Sequence, residues 1–232
     1  MSKLSIIIPA RNEQECIKIL LDELNDYKEI IGEIILVDGN SNDNTVAIAQ
    51  KYNCKIVNQK NIIGYGAAII MGINKSEYEY SVVIDADGSK DPKYIPTLYD
   101  KIENDKFDFI FAERYGKNAG SLDDTFITYF GNRLFTIFGQ VFFNIKVNDI
   151  LHTFFICKNK SFKKINFINK NFGFCPELPI KVEKEKIPYD VIPTLERKRF
   201  AGKVKVRSLI DGFIILIAMI KLLAELNYNF II

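Results

Sequence analysis

One histidine and four cysteines are all the soft metal ligands this 232-residue chain has, and no two cysteines form a C-x-x-C pair. With only His152 as imidazole and Cys16, Cys54, Cys157 and Cys175 far apart in sequence, a zinc centre is not expected. Any bound cation is expected to be a hard one held by oxygen, magnesium or manganese. Thiols used so sparsely are expected to stay reduced, in a cytoplasmic setting. Long apolar runs are also missing: residues 212–220, near the end, run to nine, well short of the ~18–20 that span a bilayer. No leader is expected, because Lys3 is followed at once by a strand-like run. A net charge of +2 is too small to indicate nucleic-acid binding. No repeat, low-complexity linker or compositional break divides the chain. Residues 1–207 are expected to form a single domain, with 208–232 a C-terminal apolar or amphipathic helix. Apolar residues make up 48% and charged residues 26%, a globular composition.

The first half alternates short β-branched runs with helical periodicity. Strands are expected at 4–8, 33–37, 55–57, 80–84 and 107–112, and helices at 13–27, from 43 or 44 to 51, at 66–73 and at 92–104. Strands apolar throughout and separated by helices indicate an α/β fold with a mainly parallel sheet covered on both faces. The second half is less regular: a Phe-rich helix at 126–143, strands at 154–157 and 190–193, and a helix after Pro176.

In such sheets ligands bind beyond the carboxyl ends of the strands. Three strands end there in polar clusters: residues 9–13, 38–43 and 85–89. The sharpest is Ser81-Val82-Val83-Ile84-Asp85-Ala86-Asp87, where a buried strand delivers two carboxylates one residue apart. Such a pair can grip a divalent ion and its waters together and tie the protein to a diphosphate. A solvated Asp/Gly turn is the plainer reading of the motif taken alone.

The ordered series SIIIPARNE, IILVDGNSNDNT and VVIDADGSKDP resembles the family-2 glycosyltransferases. FGNRLF, VNDILHTFF and ERKRFAGKVKVRSLIDGF extend the likeness over nearly the whole chain, toward the branch with polyprenol-phosphate mannosyl- and glucosyltransferases. The resemblance implies a GT-A nucleotide-diphospho-sugar transferase fold, a Rossmann-like three-layer sandwich. It implies a nucleotide-diphosphate sugar as donor and magnesium or manganese as cofactor. The acceptor would be a lipid phosphate such as a polyprenyl phosphate, or a glycan hydroxyl. Pro9, Arg11 and Glu13 would line the base and ribose pocket, with Glu13 equally suited to a first-turn helix carboxylate. Asp38 would accept from the base, while Asp43 is read as a helix cap. Asp85, Ala86 and Asp87 would meet the ribose and the metal, with Ser89 a further metal contact.

On the acceptor side the resemblance points to Arg114 at the sugar or acceptor phosphate, with Arg133 a second candidate. Asp149 would be the base for an alcohol acceptor. Leu151-His152-Thr153 departs from the aromatic and glycine segment usual in relatives, and His152 is read as a polar strand residue. Ile63 and Tyr65 replace the basic residues usual in the glycine loop, leaving Gly64 and Gly66 to turn and tight packing. Six cations fall within 197–207; Arg199 and Lys205 are the expected phosphate contacts, with Val204 where serine is usual. Cations followed by an apolar helix fit either a core helix or peripheral contact of residues 197–226 with the cytoplasmic face of a membrane. A non-catalytic nucleotide-sugar-binding protein is the remaining alternative.

Overall fold

The computed structural model describes residues 3–61, 63–201 and 208–228. Seven strands form one sheet in the order β3-β2-β1-β4-β7-β5-β8. They are β1 (Leu4–Ala10), β2 (Ile31–Asp38), β3 (Lys55–Asn58), β4 (Tyr80–Val83), β5 (Phe109–Glu113), β7 (Phe155–Lys158) and β8 (Tyr189–Pro193). Between them run α1 (Ile17–Asn25), α2 (Thr45–Lys51), α3 (Tyr65–Lys75), α4 (Ile95–Asn104), α5 (Phe126–Phe143), α6 (Asn159–Phe162) and α7 (Phe174–Lys184). Helix α8 is Ser208–Tyr228, and a second, two-stranded sheet pairs β6 (Gly120–Ser121) with β9 (Leu195–Glu196).

The strict alternation of β1 builds both halves of the core. Leu4, Ile6 and Ile8 pack with Leu20, Leu21 and Leu24 of α1 and Leu98 and Ile102 of α4. Ile7 points the other way, into Ile69 and Ile73 of α3, Phe174 and Leu178 of α7, and Ile215 and Met219 of α8. Full burial of one such side chain contributes roughly 1.5–3 kcal/mol, so a strand buried on both faces must be apolar along its whole length.

Several expected boundaries shift for local reasons. The sheet is not wholly parallel: β7 runs antiparallel between β4 and β5. Helix α1 starts at Ile17 rather than residue 13, because residues 12–14 bond to the neighbouring loop instead. Helix α7 starts at Phe174, upstream of Pro176; a proline in the first turn lacks only an N–H that has no helical partner there. Residues 92–94 form a 3-10 turn ahead of α4, with the Asp91 carboxylate accepting from Lys93 N. The Phe-rich helix spans 126–143 as expected. Helix α8 buries Ile215, Ala218, Met219 and Leu222 and exposes Ile210, Phe213, Leu216, Ile217 and Ile220. No described helix is long and apolar enough to cross a membrane.

Candidate active site

Strand order brings the three polar clusters together. Helices α1 and α2 pack on one face of the sheet and α3 on the other, so the winding reverses between β1 and β4. That switch point leaves a crevice at the carboxyl edge. Pro9 pairs with Val37, Ala10 with Asp38 and Ile7 with Val83, which sets the end of β1 between the tips of β2 and β4. Pro9 lies past the last residue of β1 paired with β4, where a missing N–H breaks no ladder bond.

The donor-side loops are sewn by backbone-to-side-chain hydrogen bonds. Asn12 adopts φ 53°, its N–H donates to Ser41 Oγ at 2.9 Å, and its Oδ1 accepts from Asn42 N at 2.9 Å. Glu13 N donates to Thr45 Oγ1 at 2.7 Å and Gln14 N to Asp43 Oδ2 at 3.1 Å. The Asp43 carboxylate also accepts from Thr45 N at 2.9 Å and so joins the two loops; it stands one residue before the α2 cap, Asn44, so this is an Asx turn and not the helix cap expected of Asp43. Burial pushes the Asp43 carboxyl up, but the Thr45 and Gln14 donors outweigh it and hold the group below its ordinary 3.8. Asp38 is buried, and its two oxygens accept from Ser41 N at 3.1 and 3.2 Å. A carboxylate so placed retains lone pairs for a further donor. Arg11 is exposed at the same edge.

The two carboxylates of the D-x-D turn differ. Asp85 Oδ1 accepts from Tyr65 Oη at 2.6 Å, and its Oδ2 lies 2.7 Å from Lys90 Nζ. The Lys90 side chain is only 2% exposed and also reaches Thr153 Oγ1 at 3.1 Å. Asp87 accepts from Ser89 N at 3.0 Å, and its other oxygen faces Arg199 at 3.6 Å. Ala86 and Ser89 are buried under the turn. Asp85 therefore has a buried counter-ion in Lys90, while Asp87 faces the partly exposed Arg199. The plain solvated turn is not what the chain builds.

Residues 197–201 fold over this tip. Arg197 N donates to Ser89 O at 2.8 Å and Phe200 N to Asp87 O at 2.9 Å. The Arg197 guanidinium grips Glu23 through two bonds of 3.0 and 2.9 Å and also donates to Gly88 O at 3.1 Å. Gly88 has φ +78°, and a Cβ there would sit 2.1 Å from the Phe200 ring, so only glycine permits this closure. Arg199 binds Asp123 at 2.5 Å besides facing Asp87. Burial disfavours its charge, but those two carboxylates raise its pKa and keep it cationic. Of the expected phosphate contacts, Arg199 is thus at the tip, whereas Lys205 lies outside the described residues. In the glycine loop, a Cβ on Gly64 would meet Lys170 O at 2.2 Å and one on Gly66 the Phe174 Cβ at 2.4 Å, the tight packing expected of them.

Beside the tip opens a cleft of about 440 Å³ lined by Arg114, Tyr115, Ser121, Asp124, Tyr129 and Arg133 among others. Arg114 and Arg133 both lie over the Tyr115 ring, at 5.3 and 6.0 Å from its centroid. Arg114 binds Asp149 through two bonds, 2.6 and 3.2 Å, and Glu196 at 3.2 Å. Burial works against its charge, yet Asp149 and Glu196 raise its pKa and keep it protonated.

The Asp149 side chain is 0% exposed, with both oxygens on that guanidinium. The geometry makes it a positioning partner of Arg114 rather than the accessible base the resemblance implies. His152 is buried against Phe154. Burial, with the Arg114 and Lys90 charges nearby, drives its pKa well below the usual value, so it is neutral. Lys90, Asp123 and Glu196 are not singled out by the sequence, and Tyr65 and Thr153 enter there only as departures from the family pattern. A lysine five residues after Asp85 was the one available signal.

The two D-x-D carboxylates suit magnesium or manganese, which bind through one or two carboxylates plus waters and substrate phosphates. Among the described residues no cluster of three or more His, Cys, Asp or Glu side chains could hold an ion unaided.

A three-layer α/β sandwich with a D-x-D tip at the switch point is the GT-A glycosyltransferase architecture. The model of glycosyl transferase family 2 matches residues 5–166, and the chain belongs to that family. It is 33% identical over 122 residues to a dolichol-phosphate mannosyltransferase of Pyrococcus furiosus, covering 50% of this chain and 34% of that protein. Mannosyl-3-phosphoglycerate synthase from Rubrobacter xylanophilus superposes with TM-score 0.79 at 17% identity, over 98% of this chain and 75% of that one. Glucosyl-3-phosphoglycerate synthase from Mycobacterium tuberculosis, solved with Mn2+, UDP and glucosyl-3-phosphoglycerate, gives 0.76 at 15% identity, over 95% and 79%. The chain spans 34%, 61% and 52% of the lengths of three curated relatives it matches.

Proposed function

We propose that this domain transfers a hexose, with inversion, from a GDP-mannose- or UDP-glucose-type donor to a polyprenyl phosphate. The carrying observation is the pairing of Asp87 with Arg199 under the 197–201 segment, beside a cleft holding two arginines. Asp87 and Asp85 would hold the Mg2+ or Mn2+, which would supply charge neutralisation to the departing diphosphate. Arg199 adds a fixed cation on the same side, an interaction that strengthens as leaving-group charge develops. Asp38, Pro9, Arg11 and Glu13 form the rim for base and ribose, and Ser89 steadies the turn through its backbone.

The acceptor reading rests on charge. Arg114 and Arg133 suit a phosphate, whose oxygen is anionic near neutral pH and needs no strong base to attack. The occupied Asp149 and neutral His152 agree with that and weigh against a sugar-hydroxyl acceptor. Of the relatives' names, dolichol phosphate in one points the same way, while 3-phosphoglycerate in two supports only an acceptor that carries a phosphate for the arginines to hold.

The test is a transfer assay with UDP- and GDP-sugars and an isoprenyl phosphate, run beside thermal-shift measurements. Nucleotide with manganese is expected to raise the unfolding temperature of the parent. Asp87→Ala should fold normally, lose that metal-dependent shift, and lose transfer by about 10²-fold or more. Full transfer in chelator would remove the metal from this reading, and turnover on a glycan hydroxyl alone would remove the lipid phosphate.

A further inference from the structure

Helix α5 carries far more exposed apolar surface than a soluble helix needs. Phe126, Phe130, Leu134, Ile137 and Val141 recur at helical spacing on the face opposite the buried Thr136, Gly139 and Phe143. Phe126 is 83% exposed and Val141 70%. Helix α8 packs beside α5 and turns Phe213, Ile217 and Ile220 outward. Scattered exposed apolar residues are ordinary, but two adjoining helices with continuous stripes mark a surface that meets something apolar.

We infer that the outer face of α5, with that of α8, lies in the interface of an anionic lipid bilayer. Charge selects this occupant. Arg133 is the only charged residue in α5, and Lys146 follows the helix. The acids just before it are engaged, Asp123 by Arg199 and Asp124 by Tyr115. Arg197 and Arg199 are held by Glu23 and Asp123, and the sequence adds Lys198, Lys203, Lys205 and Arg207 ahead of α8. Apolar stripes flanked by cations match acyl chains beneath anionic headgroups. The proposed contact is in-plane, with the two stripes lying along the bilayer surface.

The placement also bears on the proposed acceptor. Tyr129 and Arg133 of α5 line the arginine cleft, so a phosphate carried by a lipid in that bilayer would be presented at the level of the cleft. Vesicle docking itself stands apart from the transfer reaction and can be tested without it.

Flotation with phosphatidylcholine vesicles containing about a quarter phosphatidylglycerol is the experiment. The parent chain is expected to float with these vesicles and much less with phosphatidylcholine alone. The triple variant Phe130→Glu, Leu134→Glu, Val141→Glu, all at exposed positions, should keep its helix content by circular dichroism. Its partitioning should fall about tenfold or more. The same variant should still glycosylate a short-chain isoprenyl phosphate dispersed in detergent, whereas Asp87→Ala should float normally and transfer nothing. Parent-like flotation by the triple variant overturns the role of α5. So does a parent that ignores vesicles but forms a dimer in sedimentation which the triple variant abolishes, because the stripe then covers a second copy.

Discussion

The two halves of one sheet edge are held by different forces. On the donor side, the tips of β1 and β2 are tied by hydrogen bonds between backbone N–H groups and short polar side chains, Asn12, Ser41, Asp43 and Thr45. On the acceptor side, Arg114 is clamped by Asp149 and Glu196 in a buried cluster. A hydrogen-bonded loop can lose one contact and let water replace it. A buried ion cluster cannot, because removing one charge strands the others where solvent does not reach.

The sharpest way to break this contrast is Arg114→Met. It leaves Asp149 and Glu196 buried without their cation and should cost about 3–5 kcal/mol in chemical denaturation. Adding Asp149→Asn should recover part of that loss. A cost under about 1 kcal/mol would mean that charge does not hold the acceptor side.

Lys90→Met tests the boundary between the halves, since Lys90 joins Asp85 of the D-x-D turn to Thr153 near β7. A loss of about 1–3 kcal/mol is expected, because a part-buried carboxylate and a hydroxyl lose their donor. The variant should then be stabilised more by manganese plus nucleotide than the parent is, the ion replacing the missing cation. An equal shift in both would show that Lys90 and the metal do not share Asp85.

Asp43→Ala sharpens the donor side and has the smallest effect, about 0.5–1.5 kcal/mol for the lost bonds from Gln14 N and Thr45 N. Its pH dependence carries a sign. A folded pKa below the ordinary 3.8 means the carboxylate contributes stability that is fully present above that value. The contribution disappears as pH falls through the lower folded value. The gap between parent and variant should therefore be constant from pH 5 to 7 and close in acid; a gap that widens in acid would contradict the assignment.

Legibility followed the same division. Pro9, Asp38, Asp85 and Asp87 stand at the ends of apolar strands, so hydrophobic pattern and topology rules located them together. The partners of Arg114 stand 35 and 82 residues away, and no local pattern announces them. Asp149 was visible as an acid near the acceptor, but its use was not, because a side chain's role depends on what is packed against it. Tyr65 counted in sequence as a departure from a basic loop, and in the fold it is a donor to Asp85. The antiparallel β7 also escaped, since a short apolar run does not state its direction.

What the sequence determined by itself was the alternation of strand and helix, the single sheet edge and the acidic tip, because periodicity and turn chemistry act over a few residues. Only tertiary structure decided that Lys90 neutralises Asp85, that Arg114 occupies Asp149, and that residues 197–201 close over Gly88. Those outcomes depend on desolvation and charge between distant segments, which take effect only once burial removes water from around them.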